Sequence, residues 1–166
     1  MTSIAKGAAV GAATGLVGAA AMAAASKLEQ HVTGRPDSDV PAHTLARALG
    51  LRNPDRDSWA RNMAMHYLAG ATAGVVRGVM SAANLRGPLA SLMHANLRLS
   101  FDQTIENATG AGAPPWTWPR DELLIDLSHK ALYALVTGAL SDALVTPVNS
   151  SSARRPRLGA RLKGFA

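Results

Sequence analysis

The sequence predicts an all-α protein, a bundle of four transmembrane helices arranged as two tandem helical hairpins with a polar loop after the first helix. Three observations predict it. Hydrophobic residues make up 48% of the chain and aromatics only 4%, so Ala, Leu, Val and Gly replace the Phe and Ile that usually fill a water-soluble core. Four apolar segments of helical length are separated by turn-forming stretches. In the first two segments glycine recurs every four residues, a spacing that lets helices approach closely in lipid. The mean hydropathy of +0.05 averages these segments with a charged loop and tail. A chain of 166 residues has room for one domain and one core: residues 1–147 form the expected membrane domain, and 148–166 a basic tail expected to be disordered.

The first segment runs from Ile4 to Leu28 with Lys6 and Lys27 as its only charges, about 25 residues, enough to cross a hydrocarbon core. Gly7, Gly11 and Gly15, followed by Gly18, put a flat groove on one side. A signal peptide is the rival reading, with Lys6 as its n-region and Ala23, Ala24 and Ala25 before Ser26 as the cleavage site. Cleavage there would leave a secreted soluble helical domain, but a signal core is normally shorter and does not need glycines in register.

From Gln30 to Arg61 the breakers Gly34-Arg35-Pro36, Val40-Pro41 and Asn53-Pro54-Asp55 predict a loop. A short helix from about Ala42 to Leu49 lies inside it, with Leu45, Ala48 and Leu49 as an apolar face for the membrane surface. The second long helix, about 62–83, repeats the glycine device with Gly70, Gly74 and Gly78. Pro88 then suits the first turn of a third helix, about 89–108. There His94, Arg98, Asp102 and Glu106 form one charged stripe at i,i+4 spacing, while Leu92, Leu97, Leu99, Phe101 and Ile105 take much of the remaining surface. In a membrane that stripe must face protein or a wet cavity. Trp116 and Trp118 suit the headgroup level. The fourth helix, about 121–145, opens with Asp121 and Glu122 at the end favoured by the helix dipole, and lines up Asp126, His129, Tyr133, Thr137 and Ser141 on one side.

In each hairpin an acidic residue closes the first helix and a histidine opens the second: Glu29 with His66, then Glu106 with His129. With four alternating spans these four residues finish at one membrane face, which predicts an inward ring of two carboxylates and two imidazoles. Glu29 continues the row Gly15, Gly18, Met22 and Ala25 and is expected to point at the partner helices. Arg77, three turns after His66, is expected to pair with Asp102 or Asp142, or to snorkel, and Arg98 can pair with Asp102 in its own helix. The candidate polar cluster is thus Glu29, His66, Arg77, His94, Arg98, Asp102, Glu106, Asp126, His129 and Tyr133. The main reading is a structural or regulatory role, with these groups satisfying one another. The sharper reading is proton or small-solute handling. The alternative from another class is a membrane-embedded metal- or haem-dependent oxidoreductase, with Glu and His as ligands or haem between His66 and His129; the Glu-x-x-His spacing of bis-carboxylate bundles and any haem attachment motif are missing, so the expectation is no metal and no cofactor.

The net charge is +6, of which Arg154, Arg155, Arg157, Arg161 and Lys163 of the tail supply +5. Beside an apolar segment such a cluster suits anionic lipid headgroups, whereas a nucleic-acid surface would interleave basic with aromatic residues. Expected partners are therefore the lipid bilayer and a second copy of the chain, with no nucleic acid. The tail argues for a cytoplasmic C-terminus, although Arg35, Arg47, Arg52, Arg56 and Arg61 then lie opposite, partly offset by Asp37, Asp39, Asp55 and Asp57. His31 and His43 are expected to be solvated. Asn107-Ala108-Thr109 and Asn149-Ser150-Ser151 match the glycosylation acceptor pattern. With no cysteine, disulfides and thiolate chemistry are ruled out, and hydrolase, P-loop and dinucleotide motifs are missing.

Leu28-Glu29-Gln30, Thr33-Gly34-Arg35-Pro36 and Val40-Pro41-Ala42-His43-Thr44-Leu45 resemble a group of uncharacterised small membrane proteins of filamentous fungi. Leu85-Arg86-Gly87-Pro88, Glu106-Asn107-Ala108-Thr109-Gly110 and the run from Ala113 to Glu122 (APPWTWPRDE) are similar to the same group, over about Gly11 to Leu144. More distantly, the glycine-rich first helix, the Glu, the Gly-Arg-Pro loop and the His-initiated later helices resemble actinobacterial membrane proteins and the YagU-like inner-membrane family. The resemblance implies a membrane protein and supplies no catalytic residue; the unusually charged third helix departs from it.

Overall fold

A computed structural model describes residues 3–148. The fold is all-α: α1 (Ser3–Thr33), α2 (Val40–Ala48), α3 (Trp59–Ala82), α4 (Gly87–Ala108) and α5 (Arg120–Leu144), with a 3-10 turn at Pro115–Thr117 before α5. No strand occurs among the described residues. The basic tail and the Asn149 acceptor site lie outside them.

Helix ends follow local chemistry more closely than hydropathy suggested. α1 does not stop at Leu28 but continues for another turn, because Glu29, Gln30 and His31 are compatible with a helix and the first true breaker is Gly34, at φ +74°. The loop expected from Gln30 is shorter accordingly. α3 starts at Trp59, three residues before Asn62, because the Ser58 hydroxyl accepts the Arg61 N–H. α4 includes Gly87, with Pro88 in its first turn.

α2 corrects one expectation. It buries Ala42, Thr44 and Ala46, all fully inaccessible, and packs mainly on α3. Leu49, assigned to its apolar face, is 63% exposed beyond the helix end. Small side chains let this short helix lie flat on its neighbours, whereas leucines would hold it off.

α1 packs most extensively on α3, then on α5; α5 also packs on α4. Backbone meets backbone along the α1–α3 seam. A Cβ placed on Gly7 would lie 2.8 Å from the Gly78 carbonyl oxygen, one on Gly11 2.7 Å from Gly78 Cα, and one on Gly15 2.8 Å from Gly74 Cα. No side chain fits at such separations without moving a helix.

The interior is built in reverse of a water-soluble core. Its buried hydrophobic residues are alanines together with Met80, Tyr133 and Val145; among the described residues no Leu, Ile, Phe or Trp is buried. Buried with them are Arg77, His94, Arg98, Asp102, Gln103 and Lys130. The large apolar side chains point outward, including Leu89, Leu92, Leu97 and Phe101 of α4 at 41–70% exposure. By length and composition two helices, α1 and α5, are capable of crossing a membrane. α3 and α4, of 24 and 22 residues, are also long enough, but Arg61, His66 and Arg77 in the one and Arg98, Asp102 and Glu106 in the other dilute their apolar content.

Candidate functional site

The charged stripe of α4 turns inward against α5. Arg98 lays its Nε between both carboxylate oxygens of Asp102, at 2.8 and 3.0 Å, one helical turn away. From α5, Lys130 pairs with Asp126 one turn earlier and reaches to 3.8 Å from Asp102. The result is a row of alternating sign, Arg98–Asp102–Lys130–Asp126, crossing the helix contact. Next to it the Arg98 guanidinium lies 4.7 Å above the Tyr133 ring, and the Tyr133 hydroxyl donates to the Gly70 carbonyl at 2.6 Å. A ring quadrupole is a good neighbour for a desolvated cation.

The histidines are anchored to main chain. His94 Nε2 lies 2.9 Å from the Ala73 carbonyl oxygen, and His66 Nε2 lies 2.8 Å from that of Ala19. A carbonyl only accepts, so each Nε2 carries the hydrogen. These two bonds tie α3 to α1 and α4 to α3.

Three of the four residues of the expected ring, His66, Glu106 and His129, border one cavity of about 690 Å³ between α1, α3, α4 and α5. Arg98, Asp102, Asp126 and Lys130 also line it. Glu29 does not. It turns to the loop and holds Arg35, with Nη2 at 2.8 Å, because the Gly34-Arg35-Pro36 bend folds that guanidinium back over the helix end. Glu29 remains within electrostatic reach of His129. At the mouth Lys27 contacts both Asp37 carboxylate oxygens at 2.6 Å, which holds the Asp37 carboxyl below the ordinary carboxylate range. Glu106 accepts from Gln103 Nε2 at 3.1 Å.

Arg77 belongs to a different cluster, near the C-terminal ends of α3 and α5. It pairs with Asp142, at 2.8 Å, and not with Asp102. Asp142 in turn accepts from the Ser81 hydroxyl at 2.7 Å and from the Gly87 N–H at 2.8 Å, while Arg86 donates to the Asp142 and Val145 carbonyls. Thr14 and Ser141 share a hydrogen bond of 2.7 Å nearby. His94 and Tyr133 sit between the two clusters, bordering neither Asp142 nor the large cavity.

Lys130, Gln103, Arg35 and Arg86 were not among the candidates. Lys130 was signalled by its i,i+4 spacing from Asp126, which allows the pair to be buried together; Arg86 and Arg35 carry no such local signal, since their partners are set by loop paths. His31 is exposed, and His43 contacts Asp57 at 3.3 Å. Trp116 is 83% exposed, while Trp118 donates its indole N–H to the Ala113 carbonyl at 2.8 Å and lines the cavity. Among the described residues no three His, Asp or Glu side chains are grouped to hold a metal ion. Comparison with protein-family models, curated proteins and solved structures finds no match.

Proposed function

We propose that the chain is a multi-pass integral membrane protein in which α1, α3, α4 and α5 span the bilayer around a polar vestibule that takes up protons or a small polar solute. The observation that carries this reading is the reversed polarity of α4: His94, Arg98 and Asp102 are at most 7% exposed while Leu89, Leu92 and Leu97 on the same helix are at least 51% exposed. In water that arrangement forgoes about 1.5–3 kcal/mol for each leucine left outside and still desolvates the charges. In lipid both preferences reverse, and the charges have to gather between helices. The glycine seam supports the same reading, because tight backbone contact is how helices associate where lipid removes the hydrophobic drive. The resemblance to small fungal and YagU-like membrane proteins implies it as well.

Cleavage of α1 as a signal peptide is disfavoured, since it would strip α3 of the helix that covers Gly70, Gly74 and Gly78. The oxidoreductase alternative lacks a grouped ligand set among the described residues. A structural role for the polar row is compatible with the vestibule, as the row also joins α4 to α5.

The chain has no cysteine, so single cysteines report topology cleanly. Asp55→Cys and Thr117→Cys, in the α2–α3 and α4–α5 connections, should react with a membrane-impermeant maleimide from one side of sealed vesicles. Leu85→Cys, in the α3–α4 turn, should react from the other. Labelling of all three from one side, or recovery of the chain in the soluble fraction without detergent, would refute the proposal.

A further inference from the structure

The charges around the cavity point to the class of solute it accepts, an inference that rests on the vestibule reading. Every cation bordering it already has a carboxylate of its own: Lys27 with Asp37, Arg35 with Glu29, Arg98 with Asp102 and Lys130 with Asp126. Two bordering carboxylates, Glu106 and Glu122, have no ion-pair partner among the described residues; Arg35 is felt by Glu122 but is bonded to Glu29. Buried acceptors are left over as well: Asp126 Oδ2 and Asn62 Oδ1, on residues that border the cavity, have no donor among the described residues. Of the buried donors on bordering residues, Arg98 Nη1 is without a hydrogen bond among the described residues, and it belongs to a guanidinium already over the Tyr133 ring. The unmet demand in this cavity is for positive charge.

The walls decide which cation. Gly112 lies against Glu106, where a Cβ would come within 2.9 Å of the Glu106 Cβ, and Trp118 is tied to the adjacent Ala113 carbonyl. The loop before α5 thus contributes an indole to the cavity that Glu106 borders. Trp59 and Met63 of α3 and Met22 of α1 line the same space. A small hydrated metal ion needs a compact cage of oxygens, and no such group is present among the described residues. Carboxylate, indole and thioether surfaces instead suit a weakly hydrated organic cation, held by charge and by the ring face. A volume of about 690 Å³ is in the usual range for a small-molecule site, about 300–1,000 Å³. We infer that the vestibule binds an alkylated ammonium ion, with Glu106 as counter-charge at depth, Glu122 at the rim and Trp118 against the cation.

Calorimetric titration of the purified full-length protein with benzyltrimethylammonium chloride tests this, with sodium benzenesulfonate at equal ionic strength as the anionic control. Saturable binding of the cation alone is expected, weakened at least tenfold by Glu106→Gln and several-fold by Glu122→Gln and by Trp118→Ala. Absence of cation binding by a natively helical protein, equal binding of the sulfonate, or undiminished binding in the Glu106 and Glu122 variants would overturn it. If Glu106→Gln loses native helicity, the rim variants Glu122→Gln and Trp118→Ala decide. Failure of the membrane reading is distinguishable: cation binding by a chain soluble without detergent keeps the site and removes the bilayer, whereas a membrane-extracted chain that binds no cation does the reverse.

Discussion

Placing a methyl group in the glycine seam tests the packing of α1 on α3, through Gly74→Ala. The Cβ introduced there would lie 2.7 Å from Gly15 Cα and even closer to the Gly11 carbonyl, so both obstructing atoms are backbone and neither can rotate away. Overpacking a close-packed site costs about 1–3 kcal/mol, and with rigid obstacles the upper figure applies, about 3 kcal/mol. Alanine in place of glycine within a helix returns about 1 kcal/mol through propensity. The net expectation is destabilisation by about 2 kcal/mol, a shift of roughly thirtyfold in the folding equilibrium. Unfolding in mixed micelles of rising dodecyl sulfate content, followed by circular dichroism, reads this directly. The two effects have opposite signs, so the experiment discriminates sharply. A Gly74→Ala protein as stable as the parent, or more stable by the propensity gain, would refute close backbone contact at that point. The double variant with Gly11→Ala should fall short of additivity, because both methyl groups open the same seam.

Other expectations follow from the same geometry. Asp142→Asn leaves the fully buried Arg77 guanidinium without its counter-charge and should cost about 3 kcal/mol in that unfolding assay, while Arg77→Met with Asp142→Leu should recover most of the loss; equal losses in both proteins would contradict this. Leu97→Lys, at the middle of α4 on its outer face, should reduce membrane insertion by about 3 kcal/mol in a translocon assay, whereas the same change on a surface facing water would stay within about 0.5 kcal/mol. The Asp37 carboxyl, outside the helices, is held low by Lys27. Its contact is complete above the ordinary carboxylate range and is lost as pH falls through the lowered value. Carbon NMR should show Asp37 titrating below an ordinary aspartate and returning to it in Lys27→Ala; an unchanged midpoint would argue against the pair.

Features governed by spacing along one helix were legible. Arg98 and Asp102 are four apart, and i,i+4 neighbours on a helix meet whatever lies around them. The short helix within the first loop was legible from its own pattern, although its buried face was not, since Ala42, Thr44 and Ala46 are chosen by how near α3 lies rather than by hydrophobicity. Arg77 was narrowed to two carboxylates, and only the relative rotation of α3, α4 and α5 separates Asp142 from Asp102. Glu29 leaves the expected ring because α1 runs one turn further than its apolar run and the Gly34 bend brings Arg35 to it first.

The sequence by itself determined that this chain is helical, where its long apolar segments lie, and that glycines and charges recur on particular helix faces, because the 3.6-residue period and the breakers are written into the order of residues. Only the tertiary structure decided which faces meet: Gly7, Gly11 and Gly15 against Gly70, Gly74 and Gly78, Lys130 beneath Asp102, and a cavity where, among the described residues, every lysine and arginine is paired while two carboxylates are not. Helix rotation and approach distance depend on side-chain volumes from several segments acting together, and no single stretch of sequence contains that sum.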